Sequence, residues 1–248
     1  DDGGSDLLFQ TSDTTWQAYN NWGGNSLYEG ASHLGGWRAV AVSYNRPMVT
    51  RDVDMRSFFF SSEYPMVRWL EANGYDVSYF AGVDSDRRGA EIREHHVFMS
   101  VGHDEYWSGA QRPNVEAARD ATPAVDLAFF SGNEAFWKIR YENDAWGASH
   151  RTIVSYKESH ATGKIDPAVD PVTGVPIWTG TWRDNRFGPH DGGRPENALT
   201  GNLFMVNAGD TGAISVPPAQ GKYRFWRNTP NVSTLLTGAF ELPFGTLG

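Results

Sequence analysis

Short apolar segments alternate with helix-like segments along the first half of the chain, and this alternation constrains the fold more than any other feature. Two of the segments are almost continuously apolar, as strands are when a sheet is covered on both faces. Strands separated by helices build parallel sheets, because a parallel pair needs a long crossover. The sequence therefore predicts an α/β fold with a mainly parallel sheet flanked by helices. The predicted strands are residues 7–10, 39–44, 77–80, 96–101 and 125–131. Three helices are predicted: one with Pro65 in its first turn, one at residues 86–93 and one at residues 108–121.

The sequence changes character beyond Lys157, where Pro, Gly and Trp become frequent and no clear period persists. Short strand candidates at residues 203–206 and 223–226 predict irregular β additions beside the sheet in this C-terminal part. Residues 1–6 are polar and are interpreted as a linker, which leaves residues 7–248 as a single domain. Because the chain stops without a helix or a polar tail, we expect its carboxyl end to be truncated.

Several protein classes are excluded by what the sequence lacks. It contains no cysteine, which removes disulfides, thiolate zinc sites and cysteine nucleophiles. A net charge of −9 without a Lys/Arg cluster argues against a nucleic-acid partner. No apolar stretch approaches the roughly 20 residues that span a bilayer, so membrane insertion is not expected. No two glycines are separated by a single residue, so the dinucleotide-binding fingerprint is missing. Export and a cytoplasmic location both stay open.

Polar residues follow two of the predicted strands at the point where each strand ends. One group is residues 102–105 (GHDE) and the other is residues 132–134 (GNE). Ligand sites of open α/β sheets lie beyond the carboxyl ends of the strands, so His103, Glu105 and Asn133 are expected to share one crevice. Carboxylate and imidazole groups of this kind suit a hard, Lewis-acidic metal and leave donors for a carbonyl substrate.

Two further candidates for this crevice are Tyr19, in the loop after the first predicted strand, and Lys157, directly after residues 152–156 (TIVSY). Each candidate also has a structural interpretation. Tyr19 and Tyr44 are typical of buried aromatic residues with a bonded hydroxyl, and an isolated lysine such as Lys157 is typical of a solvated surface. Asp104 is interpreted as the cap of the helix predicted to follow it, where a carboxylate stabilises the helix dipole.

Five motifs carry a resemblance to a known family. They are residues 15–20 (TWQAYN), 22–28 (WGGNSLY), 42–47 (VSYNRP), 102–107 (GHDEYW) and 132–133 (GN). In this order they resemble the C-terminal catalytic domain of the N,N-dimethylformamidase large (beta) subunit family, and the resemblance covers nearly the whole chain. It implies a class I glutamine-amidotransferase-like α/β fold without the cysteine nucleophile of that class.

The resemblance also implies a cofactor, a mononuclear ferric ion, Fe(III), held by two tyrosines and one glutamate. Glu105 matches the glutamate, because a histidine stands two residues before it as in the family. Tyr19 matches the first tyrosine and Tyr44 the second. Tyr28 is the alternative for the second position, because the loop lengths differ there. Phenolate and carboxylate oxygens are hard donors suited to Fe(III).

The activity implied by the resemblance is hydrolysis of a small linear amide at its C–N bond. His103 is the expected proton carrier, and Asn133 and Lys157 are expected to stabilise the oxyanion. The dimethylformamidase large subunit has a further amino-terminal region and a small partner subunit, so additional domains or a small subunit are expected partners. The alternative is a non-catalytic carbohydrate- or surface-binding module of a larger exported protein, with Trp-rich loops as its binding surface.

Overall fold

The computed structural model describes residues 4–48, 57–158, 163–184, 193–205, 214–217, 219–226 and 240–242. The chain divides into two compact units, Asp1–Phe204 and Met205–Gly248. The first unit holds two four-stranded sheets, and the second holds one antiparallel pair of strands. The fold is mixed α/β, as the sequence predicts, whereas the glutamine-amidotransferase-like class and the single domain over residues 7–248 stay predictions.

The described residues form ten strands and six α-helices. The strands are β1 (Leu7–Thr11), β2 (Ala41–Ser43), β3 (Val77–Ala81), β4 (Val97–Val101), β5 (Tyr106–Ser108), β6 (Asp126–Phe130), β7 (Trp137–Glu142), β8 (Thr152–Val154), β9 (Ile214–Val216) and β10 (Phe240–Leu242). The α-helices are α1 (Asp13–Tyr19), α2 (Phe59–Ser62), α3 (Tyr64–Ala72), α4 (Gly82–Arg87), α5 (Gln111–Arg119) and α6 (Asn197–Thr200). Three 3₁₀ turns cover Ser32–Leu34, Gly89–Glu94 and Arg224–Trp226. None of these helices is long and apolar enough to cross a membrane.

The first sheet is the predicted parallel sheet, with strand order β3-β1-β4-β6 and every neighbouring pair parallel. Side chains alternate between its faces. Leu8 and Phe98 pack with Val115 of α5 on one face, while Phe9 packs with Leu70 of α3 on the other. Burial on both faces explains the continuous apolar runs, and the predicted strands at residues 7–10, 96–101 and 125–131 are confirmed.

The second sheet is mixed and has the order β2-β8-β7-β5. Strand β5 is parallel to β7, whereas β8 is antiparallel to both β7 and β2. The predicted strand at residues 39–44 is present as β2, but strands β5 and β7 were not predicted. The helix predicted for residues 108–121 therefore begins later, at Gln111, because the residues before it pair with β7.

The interpretation of Asp104 as a helix cap is wrong, because strand β5 and not a helix follows it. Its side chain lies in the interior and accepts hydrogen bonds from Gln10 Nε2 at 2.6 Å and Ser100 Oγ at 2.9 Å. Burial raises the pKa of Asp104 to about 7. This carboxyl group connects the ends of β1 and β4 and stabilises no helix dipole.

Two connecting segments run from the first sheet to the second side by side. Residues 102–105 join β4 to β5, and residues 131–136 join β6 to β7. Because β4 pairs with β6 and β5 pairs with β7, both segments cross the same junction. Gly102 begins the first segment with φ of 86°, and a Cβ there would lie 2.6 Å from the Cβ of Ser62. Only glycine fits this turn, which places the polar residues of both segments together.

The C-terminal part of the first unit has isolated bridges, Trp137–Thr181 and Val169–Pro176, as irregular β additions. The strand candidate at residues 203–206 is wrong over residues 203–205, which form no strand, and its last residue lies outside the described residues. The candidate at residues 223–226 is also wrong, since a 3₁₀ turn covers Arg224–Trp226. Clusters of aromatic residues in Pro- and Gly-rich segments therefore do not indicate strands here.

Candidate functional site

Glu105 lies at the junction of the two sheets, and its backbone is fixed from two directions. Its N–H donates to Thr15 Oγ1 of α1 at 2.9 Å. Its carbonyl accepts hydrogen bonds from the N–H groups of Phe136 and Trp137, each at 2.9 Å. The segments before β5 and β7 are thus tied together at this residue, and the direction of the Glu105 side chain follows from the pairing of the strands.

Three side chains donate hydrogen bonds to the buried carboxylate of Glu105. Tyr28 Oη lies 2.7 Å from each carboxylate oxygen, and Tyr19 Oη lies 3.0 Å from Oε2. Trp137 Nε1 donates to Oε1 at 3.0 Å. Glu105 is 5% exposed, so these donors replace water around it. Two phenol oxygens and one carboxylate therefore converge on a single point.

The two tyrosines of this site stack on one another with ring centroids 4.2 Å apart. Tyr19 ends α1, whereas Tyr28 lies in the loop that follows. The Tyr28 ring is 37% exposed, but its hydroxyl points inward to Glu105. Burial, with the charge of Glu105 as a second cause, raises the pKa of Tyr28 well above its ordinary value. In the absence of a cation, Tyr28 is therefore a neutral donor to Glu105.

Tyr44, the residue matched to the second tyrosine ligand, does not reach Glu105. Its hydroxyl donates to Asp13 Oδ2 at 2.6 Å, and burial raises the pKa of Tyr44 well above its ordinary value. The position beside Glu105 is filled by Tyr28, which the sequence left as the alternative. The structure separates the two because β2 carries Tyr44 along the second sheet toward the start of α1, while the preceding loop folds back over the junction.

His103 and Asn133 meet across the two connecting segments. Asn133 Nδ2 lies 2.8 Å from His103 Nε2, and Ser57 Oγ lies 3.2 Å from His103 Nδ1. The amide nitrogen can only donate, so the neutral imidazole accepts at Nε2 and carries its proton on Nδ1. His103 Nε2 also lies 3.4 Å from Glu105 Oε2. The imidazole therefore presents Nε2 to the site. The three residues His103, Glu105 and Asn133 lie together, as the adjacent strand ends predict.

Lys157 is buried, contrary to the solvated surface position that an isolated lysine suggests. Its Nζ lies 3.3 Å from the ring centroid of Tyr28, 5.0 Å from that of Trp137 and 5.3 Å from that of Tyr106. Burial lowers the pKa of Lys157 to about 7, with Glu105 opposing this effect. Lys157 has a positive φ of 51°, an uncommon conformation for a residue with a Cβ. Backbone and aromatic contacts together hold the amine beside Tyr28.

Sequence reasoning missed the aromatic residues around the amine. Trp137 and Tyr106 lie on β7 and β5, the strands that the sequence pattern did not indicate. The Trp137 indole is at once a donor to Glu105 and a wall of the Lys157 cage. Tyr106 stands directly after Glu105, and this adjacency to a predicted site residue was the one signal available in the sequence.

Two further carboxyl groups are buried close to residues of this site. Glu134 follows Asn133 in the chain, and Glu63 contacts α1, the helix that ends at Tyr19. Glu134, next to Asn133, is 3% exposed, and neither of its oxygens has a hydrogen-bond partner within the described residues. Burial raises its pKa well above the ordinary value. Glu63 accepts from Trp16 Nε1 at 2.7 Å, and burial raises its pKa to about 8. Burial therefore favours the neutral acid form of both groups.

The residues around Glu105 fit a small cation with oxygen ligands. Two oxygen ligands, each about 2.0–2.2 Å from one cation, lie about 2.8–3.1 Å apart when the ligand–cation–ligand angle is about 90°. Each phenol oxygen of Tyr19 and Tyr28 lies 2.7–3.0 Å from a carboxylate oxygen of Glu105. No group of three His, Cys, Asp or Glu side chains in the described parts of the chain is arranged to hold a metal. The tyrosines are therefore what gives this site its ligand character.

Comparison with known proteins places the chain in a family. A search of curated proteins found no match. A family model described as N,N-dimethylformamidase beta subunit-like, C-terminal, matches residues 1–247. This match spans nearly the whole chain and agrees with the resemblance found in the motifs. The chain therefore belongs to the N,N-dimethylformamidase beta subunit-like, C-terminal, family.

Proposed function

We propose that this chain is an iron-dependent hydrolase of small linear amides, with Fe(III) held by Tyr19, Tyr28 and Glu105. The observation that carries the proposal is the convergence of two phenol oxygens on one buried carboxylate, at 2.7–3.0 Å. Family membership supports the amide as the substrate class. Tyr28 replaces Tyr44 in the proposed ligand set because Tyr44 is bonded to Asp13.

A ferric ion bound at these oxygens would supply Lewis acidity, which polarises an amide carbonyl and makes water more acidic. The chain's contribution is to hold three hard oxygen donors in a site that excludes most water. Trp137 holds Glu105 Oε1 through its indole N–H, which leaves Oε2 facing Tyr19 and His103. The carboxylate is therefore oriented before any cation binds, and little reorganisation is needed.

His103 moves the proton in this proposal, and it does so at Nε2. Ser57 lies beside Nδ1 and fixes the ring. In this proposal the Asn133 amide, which donates to Nε2 in the free site, turns to the substrate oxygen when the amide binds. The freed Nε2 lone pair then accepts a proton from the attacking water and returns it to the leaving amine. Lys157 Nζ lies 3.3 Å from the centroid of the Tyr28 ring, and its ammonium form would stabilise developing negative charge there.

The family description names a beta subunit, and we propose that a second chain completes the enzyme. A non-catalytic binding module is the second candidate function. Exposed indoles favour it, since Trp22, Trp37 and Trp146 are 53%, 69% and 85% exposed. A module of that kind would bind polysaccharide without iron, and the arrangement around Glu105 would then have no chemical role.

Iron loading followed by an amide screen tests the proposed function. Anaerobic Fe(II) loading and reoxidation should give about one iron per chain and a visible tyrosinate-to-iron charge-transfer band. Glu105→Ala should lose both, because it removes the carboxylate between the two phenols. Release of ammonia or amine from formamides and acetamides is the activity measured. Iron-loaded protein that hydrolyses none of them, in the presence of a candidate partner subunit, would contradict the proposal.

A further inference from the structure

A pocket separate from the Glu105 site is lined by Trp37, Arg38, Val40 and Lys164. Its cavity volume is about 40 Å³. Since a single water needs roughly 10–15 Å³ of cavity volume, the pocket has room for a group of about three non-hydrogen atoms. Two of the four lining side chains are cations and a third is an exposed indole. We name it the Trp37–Lys164 pocket.

The two cations of the Trp37–Lys164 pocket have no carboxylate partner within the described part of the chain. Arg38 Nη2 donates to the carbonyl of Tyr156 at 2.7 Å, and Nη1 donates to that of Ala39 at 3.3 Å. A guanidinium has five N–H donors, so others stay unused. Burial lowers the pKa of Arg38 below its ordinary value. In a chain of net charge −9, two unpaired cations at one pocket are unusual and favour an anion.

The aromatic part of the pocket adds contact area for a ligand. Lys164 Nζ lies 5.9 Å from the ring centroid of Trp37, so cation and indole share the same space. Trp37 is 69% exposed. An exposed indole beside two cations suits an organic anion, whose charged end meets Arg38 and Lys164 while its carbon atoms lie on the ring.

The pocket is joined to the Glu105 site through one folded loop. Ala39 N donates to Ser26 O at 2.8 Å, which brings the Arg38 end of the loop next to the Tyr28 end. At Gly30 an added Cβ would lie 2.1 Å from the carbonyl oxygen of Trp37, so the two halves of the loop are in backbone contact. Arg38 also bonds the carbonyl of Tyr156, the residue before Lys157. The segment that holds Arg38 thus contacts the two segments that hold Tyr28 and Lys157 of the site.

We propose that the Trp37–Lys164 pocket binds the carboxylate of the substrate, and that the preferred substrates are anionic amides such as N-acyl amino acids. Arg38 and Lys164 would neutralise the carboxylate, while the amide bond of the same molecule lies at Glu105 and Lys157. The inference rests on the proposed amide hydrolysis for its second half only. It adds a class of substrate, since the family description alone points to neutral dimethylformamide-like amides.

Binding of a matched pair of small amides tests the pocket. N-acetylglycine carries the carboxylate, and N-acetylglycinamide is its neutral counterpart. Calorimetry on the full chain should show the acid binding about tenfold more tightly, as charge-assisted hydrogen bonds predict, and the difference should shrink with added salt. Lys164→Met should remove most of this preference. Lys222→Met, which removes one exposed lysine elsewhere, is the matched control and should leave it unchanged.

Arg38→Lys gives a second variant that keeps the charge but loses the planar fork, and it should weaken binding of the acid several-fold. Equal affinity for the acid and the neutral amide would overturn the inference. So would a preference for the acid that Lys164→Met and Lys222→Met leave equally intact. Tight, Lys164-dependent binding without hydrolysis by iron-loaded protein would instead contradict the proposed function and keep the pocket. Hydrolysis of N-acetylglycine with a KM and kcat that Lys164→Met leaves unchanged would do the reverse, because it would keep the amide hydrolysis and overturn the pocket.

Discussion

Two tyrosine–carboxylate pairs in this molecule have nearly the same local geometry but different surroundings. Tyr44 donates to Asp13 at 2.6 Å, and Tyr28 donates to Glu105 at 2.7 Å. Both carboxylates are 5% exposed. Chemistry alone does not separate the two pairs, because each joins a phenol O–H to a buried carboxylate.

The difference lies in what surrounds each carboxylate. Asp13 is also bonded to the backbone N–H of Gly82, so it fastens α4 to α1. Among the described residues, the donors to the carboxylate oxygens of Glu105 are all side chains, and His103 Nε2 lies at 3.4 Å. Phenol protons can be replaced by a cation, whereas a backbone N–H cannot leave. The further hydrogen-bond donors to the carboxylate therefore distinguish the two pairs: a backbone N–H ties Asp13 to the fold, whereas side-chain donors leave Glu105 able to take up a cation.

The largest expected effect separates the two tyrosines. Tyr28→Phe should abolish iron binding, because it removes one of three oxygen donors at Glu105. Tyr44→Phe should bind iron normally but lower the free energy of unfolding by about 1–3 kcal/mol, since a buried carboxyl loses its donor. Elemental analysis, the visible charge-transfer band and urea unfolding measure these outcomes. Iron loss in Tyr44→Phe with retention in Tyr28→Phe would exchange the roles of the two pairs.

The second prediction concerns the imidazole that accompanies only the Glu105 pair. His103→Ala should keep iron, since His103 is not among the proposed ligands, yet lower kcat by about 10²–10⁴-fold. Tyr44→Phe serves as the control and should keep its kcat. The measurement is amine release by iron-loaded protein on any amide found in the screen. An iron-loaded His103→Ala enzyme with wild-type kcat would remove the proton-transfer role.

The smallest expected effect is a change in pH dependence at the Asp13 pair. Burial raises the pKa of Asp13 from 3.8 to about 6, while its bond from Tyr44 partly opposes this effect. The folded state therefore keeps a proton that the unfolded chain releases. Its contribution to stability is fully present below about pH 4 and is lost as the pH rises through about 6.

Asp13→Asn should remove this part of the pH dependence. Urea unfolding at pH 4, 5, 6 and 7 should show a smaller loss of stability for the variant than for the wild type. The charge of Asp13 helps to raise the pKa of Glu63 and of Asp104, so the difference between the two curves reports the titration of Asp13 together with its effect on these two acids. Parallel curves would show that Asp13 titrates alike in the folded and unfolded chain. Iron content should be unaffected.

The parts of the fold that the sequence predicted are those with a strong local pattern. Continuous apolar runs identified β1, β4 and β6, since burial on both faces leaves no polar positions in a strand. Strands β5 and β7 were missed because they are short or carry charged and aromatic residues together, as in Trp137–Glu142 (WKIRYE). Their pairing comes from the neighbouring segments and not from their own periodicity.

The candidate site was predictable to the same extent. His103, Glu105 and Asn133 follow adjacent parallel strands, and parallel strands end at the same edge of a sheet, so their meeting follows from the sequence pattern. The second tyrosine was not predictable, because loop residues have no register with a sheet. The burial of Lys157 was not predictable either, since its cage comes from β5, β7 and a loop far away in the chain.

The sequence by itself determined the α/β class, the parallel sheet, the family and the polar strand ends that carry His103 and Glu105. Only the tertiary structure decided that Tyr28 and not Tyr44 lies at Glu105, and that Arg38 and Lys164, which have no carboxylate partner within the described residues, line one pocket. The physical reason is the sequence separation of the interactions involved. Periodicity and strand ends are properties of neighbouring residues, whereas the return of a loop depends on distant backbone contacts, such as that of Gly30 with Trp37.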